Sequence, residues 1–160
     1  MTCAAQIIEI ASQKGVMVAT AESCTAGMVA AAIADIAGAS AVLERGYVTY
    51  SNTAKVEMLD VSPSTLEAYG AVSEAVALEM ASGARHRSLA QITVSVTGIA
   101  GPGGSEHKPE GMVCFATDDG HDVKAETIEF GALGRTAVRV AARDHALALL
   151  LRACEGYPAP

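Results

Sequence analysis

The spacing of apolar residues changes period along the chain, and each change predicts an element. In residues 4–14, Ile7, Ile8 and Ala11 recur at helical spacing and Gly15 follows as a stop. Residues 16–20 are short and continuously apolar, the pattern of a buried strand. A helical pattern then runs from Cys24 or Thr25 to Ile36, before Gly38. Residues 46–50 form a second strand pattern, and Asn52 can cap a short helix over 53–59. Ser62, Pro63 and Gly70 supply the cap, first-turn proline and stop of the next helix. Ser73 caps another over 74–85.

Residues 91–97 alternate and are rich in β-branched side chains, a third strand. A glycine-rich loop spans 98–111. Residues 112–117 and 123–130 flank Asp119-Gly120, a hairpin signal that makes these two strands antiparallel neighbours. A long helix over 135–153 closes the pattern. Early strands alternating with helices favour parallel pairing, and the late hairpin adds an antiparallel step. The predicted fold class is α/β: a three-layer α/β/α sandwich on a mixed, mostly parallel sheet, as one domain over residues 1–160.

Composition narrows the function. The 160 residues are 51% hydrophobic and contain no Trp, so the core is built from small aliphatic side chains. A formal net charge of −7 argues against nucleic-acid binding, which needs clustered Lys and Arg, but leaves room for a small anionic ligand. Cys3, Cys24, Cys114 and Cys154 lie far apart without a CxxC, as in a reduced cytoplasmic protein. The histidines show no metal-ligand spacing, so no metal and no cofactor are expected. No signal peptide or membrane span is legible, and no membrane partner is expected.

Four stretches can carry chemistry, and each has an ordinary reading. TAESCTAG, residues 20–27, places Ser23, Cys24 and Thr25 between a strand and a helix, where ligands collect in open α/β sheets. One of the three can be a nucleophile. Equally, Ser23 or Thr25 can be a helix cap and Cys24 a packed hydrophobe. YVTYSNTAK, residues 47–55, ends a strand with Tyr50 and puts Lys55 in the first turn of a helix, where a cation opposes the dipole. A desolvated lysine beside a serine can act as a base, and a surface lysine is the alternative. TGIAGPGG, residues 97–104, matches neither a Walker A loop nor GxGxxG, and reads as an anion nest or an unconstrained loop. Arg135 opens the last helix, where an arginine suits a bound phosphate or is simply solvated.

Together, and in this order, TAESCTAG, ERGYVTYSNTAK, GAVSE, VTGIAGPGG with KPEG, and the FGALGR…VR region resemble the C-terminal domain of the CinA (competence/damage-inducible) family. The resemblance covers about residues 16–151 and is closest to the family's stand-alone form. That family includes bacterial nicotinamide-mononucleotide amidohydrolases. The resemblance implies deamidation of nicotinamide mononucleotide to nicotinate mononucleotide and ammonia, in pyridine-nucleotide recycling. It places the nucleophile on Ser23 and its partners on Tyr50 and Lys55. Backbone donors at Cys24 and Thr25 are candidates for holding the oxyanion. Gly101, Gly103, Gly104, Lys108 and Arg135 are candidates for the ligand's phosphate. The small-molecule substrate is the main partner expected; alanine-rich helices and family habit add a homo-oligomer.

Three departures from the family pattern stand out. Ala26 replaces a usual glycine, which a helix should tolerate. Leu133-Gly134-Arg135 lacks the Asp of a usual Gly-Asp-Arg, which bears on how the arginine is oriented. His107 stands where an acidic residue is usual. Two other readings compete: a non-catalytic nucleotide-binding module, and a cysteine hydrolase using Cys24.

Overall fold

The structure, a computed structural model, describes residues 1–105 and 107–160. Glu106, within the glycine-rich stretch, lies outside the described residues. The elements are α1 (Cys3–Lys14), β1 (Val18–Glu22), α2 (Met28–Ala34), a 3-10 turn (Ala39–Ala41), β2 (Leu43–Val48), α3 (Asn52–Leu59), α4 (Pro63–Tyr69), α5 (Glu74–Arg87), β3 (Ile92–Gly98), β4 (Met112–Asp118), β5 (Val123–Glu129) and α6 (Arg135–Gly156). Their order is the order the periodicity predicts.

The strands form one sheet in the order β2-β1-β3-β4-β5. β1 pairs parallel with β2 and with β3, whereas β3–β4 and β4–β5 are antiparallel. The expected mixed α/β/α sandwich is therefore present, but its pairings divide evenly between the two senses instead of being mostly parallel. The reason lies in the connections. Helices link β1 to β2 and β2 to β3, which returns each strand in the same direction. Only the glycine-rich loop joins β3 to β4, so β4 runs back antiparallel.

One face of the sheet carries α1, α2 and α6 over Val18, Val94, Val96, Val113 and Phe115. The other carries α3, α4 and α5. There the alternate residues of β3 are small and hydroxylic. Thr93 and Ser95 donate hydrogen bonds of 2.7 Å to the carbonyls of Ala81 and Ala77 in α5, and Thr97 donates to Ala71 at 2.8 Å. Short polar side chains with satisfied hydroxyls let α5 lie close to the sheet. Gly83 serves the same closeness between helices: a Cβ there would sit 1.8 Å from the Leu59 carbonyl oxygen at the end of α3.

Register fixes where the site can form. Glu22 at the end of β1 is level with Val48 at the end of β2 and with Val96 in β3. Ser23, Thr49-Tyr50 and Thr97-Gly98 consequently emerge side by side at the carboxyl edge of the parallel strands, where such sheets bind ligands.

Candidate active site

Between β1 and α2 the chain makes a tight turn. Ser23 N–H still extends the ladder, donating to Val96 O at 2.9 Å, and Ala26 N–H closes on Ser23 O at 3.1 Å. Ala26 has φ 48° and Gly27 φ 97°. Two consecutive left-handed residues stop a helix from starting at Cys24 or Thr25, so α2 begins only at Met28. This corrects the sequence reading of Ala26 as a helical residue: a Cβ at positive φ costs about 1–2 kcal/mol. It also displaces Thr25 from the expected cap, since Gly27 holds the N-cap position without a side-chain bond.

Glu22 takes over that capping. Its buried carboxylate accepts the Thr20 hydroxyl (3.0 Å), the Thr25 hydroxyl (2.7 Å) and the N–H groups of Gly27, Val29 and Ala30 (3.2, 2.9 and 3.1 Å). Three of the five partners are backbone N–H groups, so the side chain caps the first turn of α2 in place of a helix-capping hydroxyl.

Lys55 enters from the first turn of α3, whose N-cap Ser51 accepts Ala54 N–H at 3.0 Å. Its side chain is only 1% exposed, among the largest fully buried in the molecule. Its nitrogen Nζ is within hydrogen-bond reach of Ser23 Oγ at 3.0 Å and donates to Thr49 O at 3.0 Å and to Tyr50 O at 3.3 Å. Ser23 Oγ in turn lies 3.4 Å from Tyr50 O. The position of a lysine in the first turn, against the dipole, is thus explained: its charge is spent on strand-end carbonyls and on a serine, not on the helix.

These groups floor a cleft of about 340 Å³. Its lining brings together Ser23, Cys24, Tyr50 and Lys55 with Gly101, Gly103, Gly104 and Arg135, eight of the ten residues singled out in the sequence. Arg135, the first residue of α6, donates to the Tyr50 hydroxyl at 2.7 Å and to the Gly101 carbonyl. Glu110 ties the glycine loop to the start of α6, accepting Gly103 N–H at 2.7 Å and Gly134 N–H at 3.2 Å. A groove of about 490 Å³ at the hairpin end of the sheet is larger but lies away from this serine and lysine.

Comparison with known proteins shows the family. The CinA C-terminal domain model matches residues 1–154. The chain belongs to the CinA C-terminal domain family. It is 54% identical to the nicotinamide-nucleotide amidohydrolase PncC of Enterobacter agglomerans over 142 residues, 87% of this chain and 85% of the relative. The identity to the protein of the same name from Escherichia coli K12 is 48% over 153 residues, covering 94% and 92%. Among solved structures, the competence/damage inducible protein CihA of Agrobacterium tumefaciens superposes with a TM-score of 0.92 at 48% identity, covering 94% and 93% of the two chains. The competence damage-inducible protein A of Klebsiella pneumoniae gives 0.93 at 35%, covering 98% and 97%.

Within this CinA domain two of the singled-out residues fall outside the cleft. Thr25 is fully buried with its hydroxyl on Glu22. Lys108 reaches away from the cleft to the carbonyls of Tyr69 and Val72, bracing the glycine loop on the turn between α4 and α5. Cys24 lines the cleft but is 5% exposed, and burial pushes its thiol up to about 11, despite the nearby cations Arg139 and Lys55. A protonated, enclosed thiol is a poor nucleophile, which weighs against the cysteine-hydrolase reading. Among the described residues no group of three or more His, Cys, Asp or Glu is placed to hold a metal ion, and no helix is long and apolar enough to cross a membrane.

The sequence reading assigned no role to Glu22, Glu110 or Arg139. Glu110 was visible only as part of KPEG and Arg139 only as part of FGALGR…VR. Arg139 follows Arg135 by one helical turn, the spacing that puts two side chains on one face.

Proposed function

We propose that this chain is a nicotinamide-mononucleotide amidohydrolase acting through a serine acyl-enzyme. The observation that carries the reading is the buried Lys55 Nζ at 3.0 Å from Ser23 Oγ. The names of its relatives supply the substrate class.

To act as base Lys55 must be the neutral amine, whose two N–H groups can stay on the Thr49 and Tyr50 carbonyls while its lone pair faces the Ser23 hydroxyl. Neutral Lys55 takes the Ser23 hydroxyl proton as Oγ bonds to the carboxamide carbon, and the carbonyl oxygen becomes an oxyanion. The oxyanion faces the backbone donors that follow Ser23. As the tetrahedral species collapses, the C–N bond breaks and Lys55 gives its proton to the departing nitrogen, which leaves as ammonia. Water then attacks the ester while Lys55 takes its proton. Collapse releases the nicotinate carboxyl and returns the proton to Ser23 Oγ. Tyr50 carries no proton in this scheme: its main-chain carbonyl orients Lys55 Nζ beside Ser23 Oγ, while its hydroxyl is held by Arg135.

The ligand's phosphate is assigned to the other end of the cleft, against Arg135 and the N–H groups of Gly101 and Gly104, since the Gly103 N–H is held by Glu110. The missing Asp of the Gly-Asp-Arg pattern does not leave Arg135 unplaced, because Tyr50 and Gly101 orient it. The reading includes the whole chain as one catalytic domain that returns nicotinate mononucleotide to pyridine-nucleotide recycling.

Incubating the purified protein with nicotinamide mononucleotide, with product separation and ammonia detection, tests the proposal. Turnover is expected, with kcat lost at least about a thousandfold in Lys55→Met. Arg135→Ala should raise KM roughly tenfold or more through lost phosphate contacts. Tight binding of the mononucleotide without any product would instead favour the non-catalytic module.

A further inference from the structure

Arg139 lies one turn into α6, remote in sequence from the nucleophile. Its Nε donates to Cys24 O at 2.9 Å and its Nη2 to Thr25 O at 3.3 Å. One planar guanidinium therefore grips two successive carbonyls immediately after Ser23. A trans peptide opposes its N–H to its C=O. Pinning the Cys24 carbonyl thus aims the Thr25 N–H away from Arg139, and pinning the Thr25 carbonyl does the same for Ala26 N–H. The Ala26 N–H is used locally on Ser23 O. Glu22 holds the far end of the same turn through Gly27, Val29 and Ala30. The turn that carries Ser23 is gripped from both sides.

We infer that Arg139 is a positioning residue for the amide hydrolysis, fixing the two peptides after Ser23 so that the turn holds the Ser23 hydroxyl in place against Lys55. The inference rests on the amidohydrolase reading above. A nucleophile held by a rigid turn needs no reorientation to attack, and a small misplacement of it is costly. Arg139 itself touches backbone and no reacting atom, which separates its role from those of Ser23 and Lys55.

Steady-state kinetics of the full chain on nicotinamide mononucleotide, wild type beside Arg139→Gln and Arg139→Lys, tests this. Gln keeps a donor for one carbonyl and loses the charge; Lys keeps charge and donors. We expect kcat of Arg139→Gln to fall on the order of a hundredfold, as for misplacement of a nucleophile by a change remote from the chemistry, with KM changed less than about threefold. Arg139→Lys should recover most of that loss. A Gln variant within about twofold of wild-type kcat, a loss confined to KM, or a Lys variant no better than Gln would overturn the inference. Wild-type protein without turnover would overturn the amidohydrolase reading and this inference with it. Wild-type turnover with unaffected variants would overturn the positioning role alone.

Discussion

At Ala26 a methyl group sits on a backbone with φ 48°. The left-handed region costs a side chain about 1–2 kcal/mol, while glycine costs about 0.4–1 kcal/mol in unfolded-chain entropy. Ala26→Gly should therefore stabilise the protein by up to about 1 kcal/mol, measured by urea unfolding; a destabilised variant would show that the alanine is unstrained. Cys24 makes a second residue-level prediction. Its thiol is enclosed and held protonated, so native protein at neutral pH should lose no activity to iodoacetamide during a period that labels unfolded chain completely. The residue scale is also where the sequence was least legible. TAESCTAG could be read as strand, turn and helix, but not that Ala26 and Gly27 would both turn left-handed. That twist is what moves the helix start to Met28 and gives the capping to Glu22.

Elements were far easier to read. Ser73 caps α5 as expected, accepting Val76 N–H at 3.2 Å, and Gly15 ends α1 in the left-handed conformation. Strand boundaries moved for a reason no local pattern holds: β2 runs from Leu43 to Val48, ending before Tyr50, because its extent is set by pairing with β1. Freed from the ladder, Tyr50 can turn its carbonyl to Lys55 and its hydroxyl to Arg135. The even split of strand directions was likewise hidden, since it depends on the glycine loop making a return without a helix. Between elements, Gly83 sets how closely α5 and α3 approach. Gly83→Ala should cost roughly 1–3 kcal/mol or more by overpacking against the Leu59 carbonyl, read by thermal or urea unfolding. An unchanged midpoint would mean α3 shifts freely, and Lys55 with it.

Across the whole molecule, the first helix is fastened to the last. Lys14 Nζ donates to the carbonyls of Cys154, Glu155 and Tyr157 at 2.8, 2.7 and 2.6 Å, satisfying groups that the end of α6 leaves unpaired. Global stability should also depend on alkaline pH. Burial raises the Cys24 thiol to about 11 and the Cys154 thiol to about 12, from an ordinary 9.0. The unfolded chain releases these protons first, so stability falls as pH climbs through about 9 toward those values, by on the order of 1 kcal/mol per pH unit for each thiol. Denaturation midpoints between pH 8 and 11 check the sign, and Cys154→Ala should flatten the slope.

The same whole-molecule view explains why the site was partly legible. Its residues come from β1, β2, α3, the glycine loop and α6, so no single stretch identified it. Ser23 alone looked like a cap and Lys55 alone like a surface charge. Their meeting depends on the register that sets three strand ends level, which periodicity does not contain. Arg139, visible within FGALGR…VR, had no legible role because its partners are backbone carbonyls, and those have no signature in sequence. The account turns on which side chain attacks the amide. Ammonia release from nicotinamide mononucleotide, measured side by side for wild type, Cys24→Ala and Ser23→Ala, decides it. Turnover should persist in wild type and Cys24→Ala and be abolished in folded Ser23→Ala; activity surviving in Ser23→Ala, or lost only in Cys24→Ala, would contradict it.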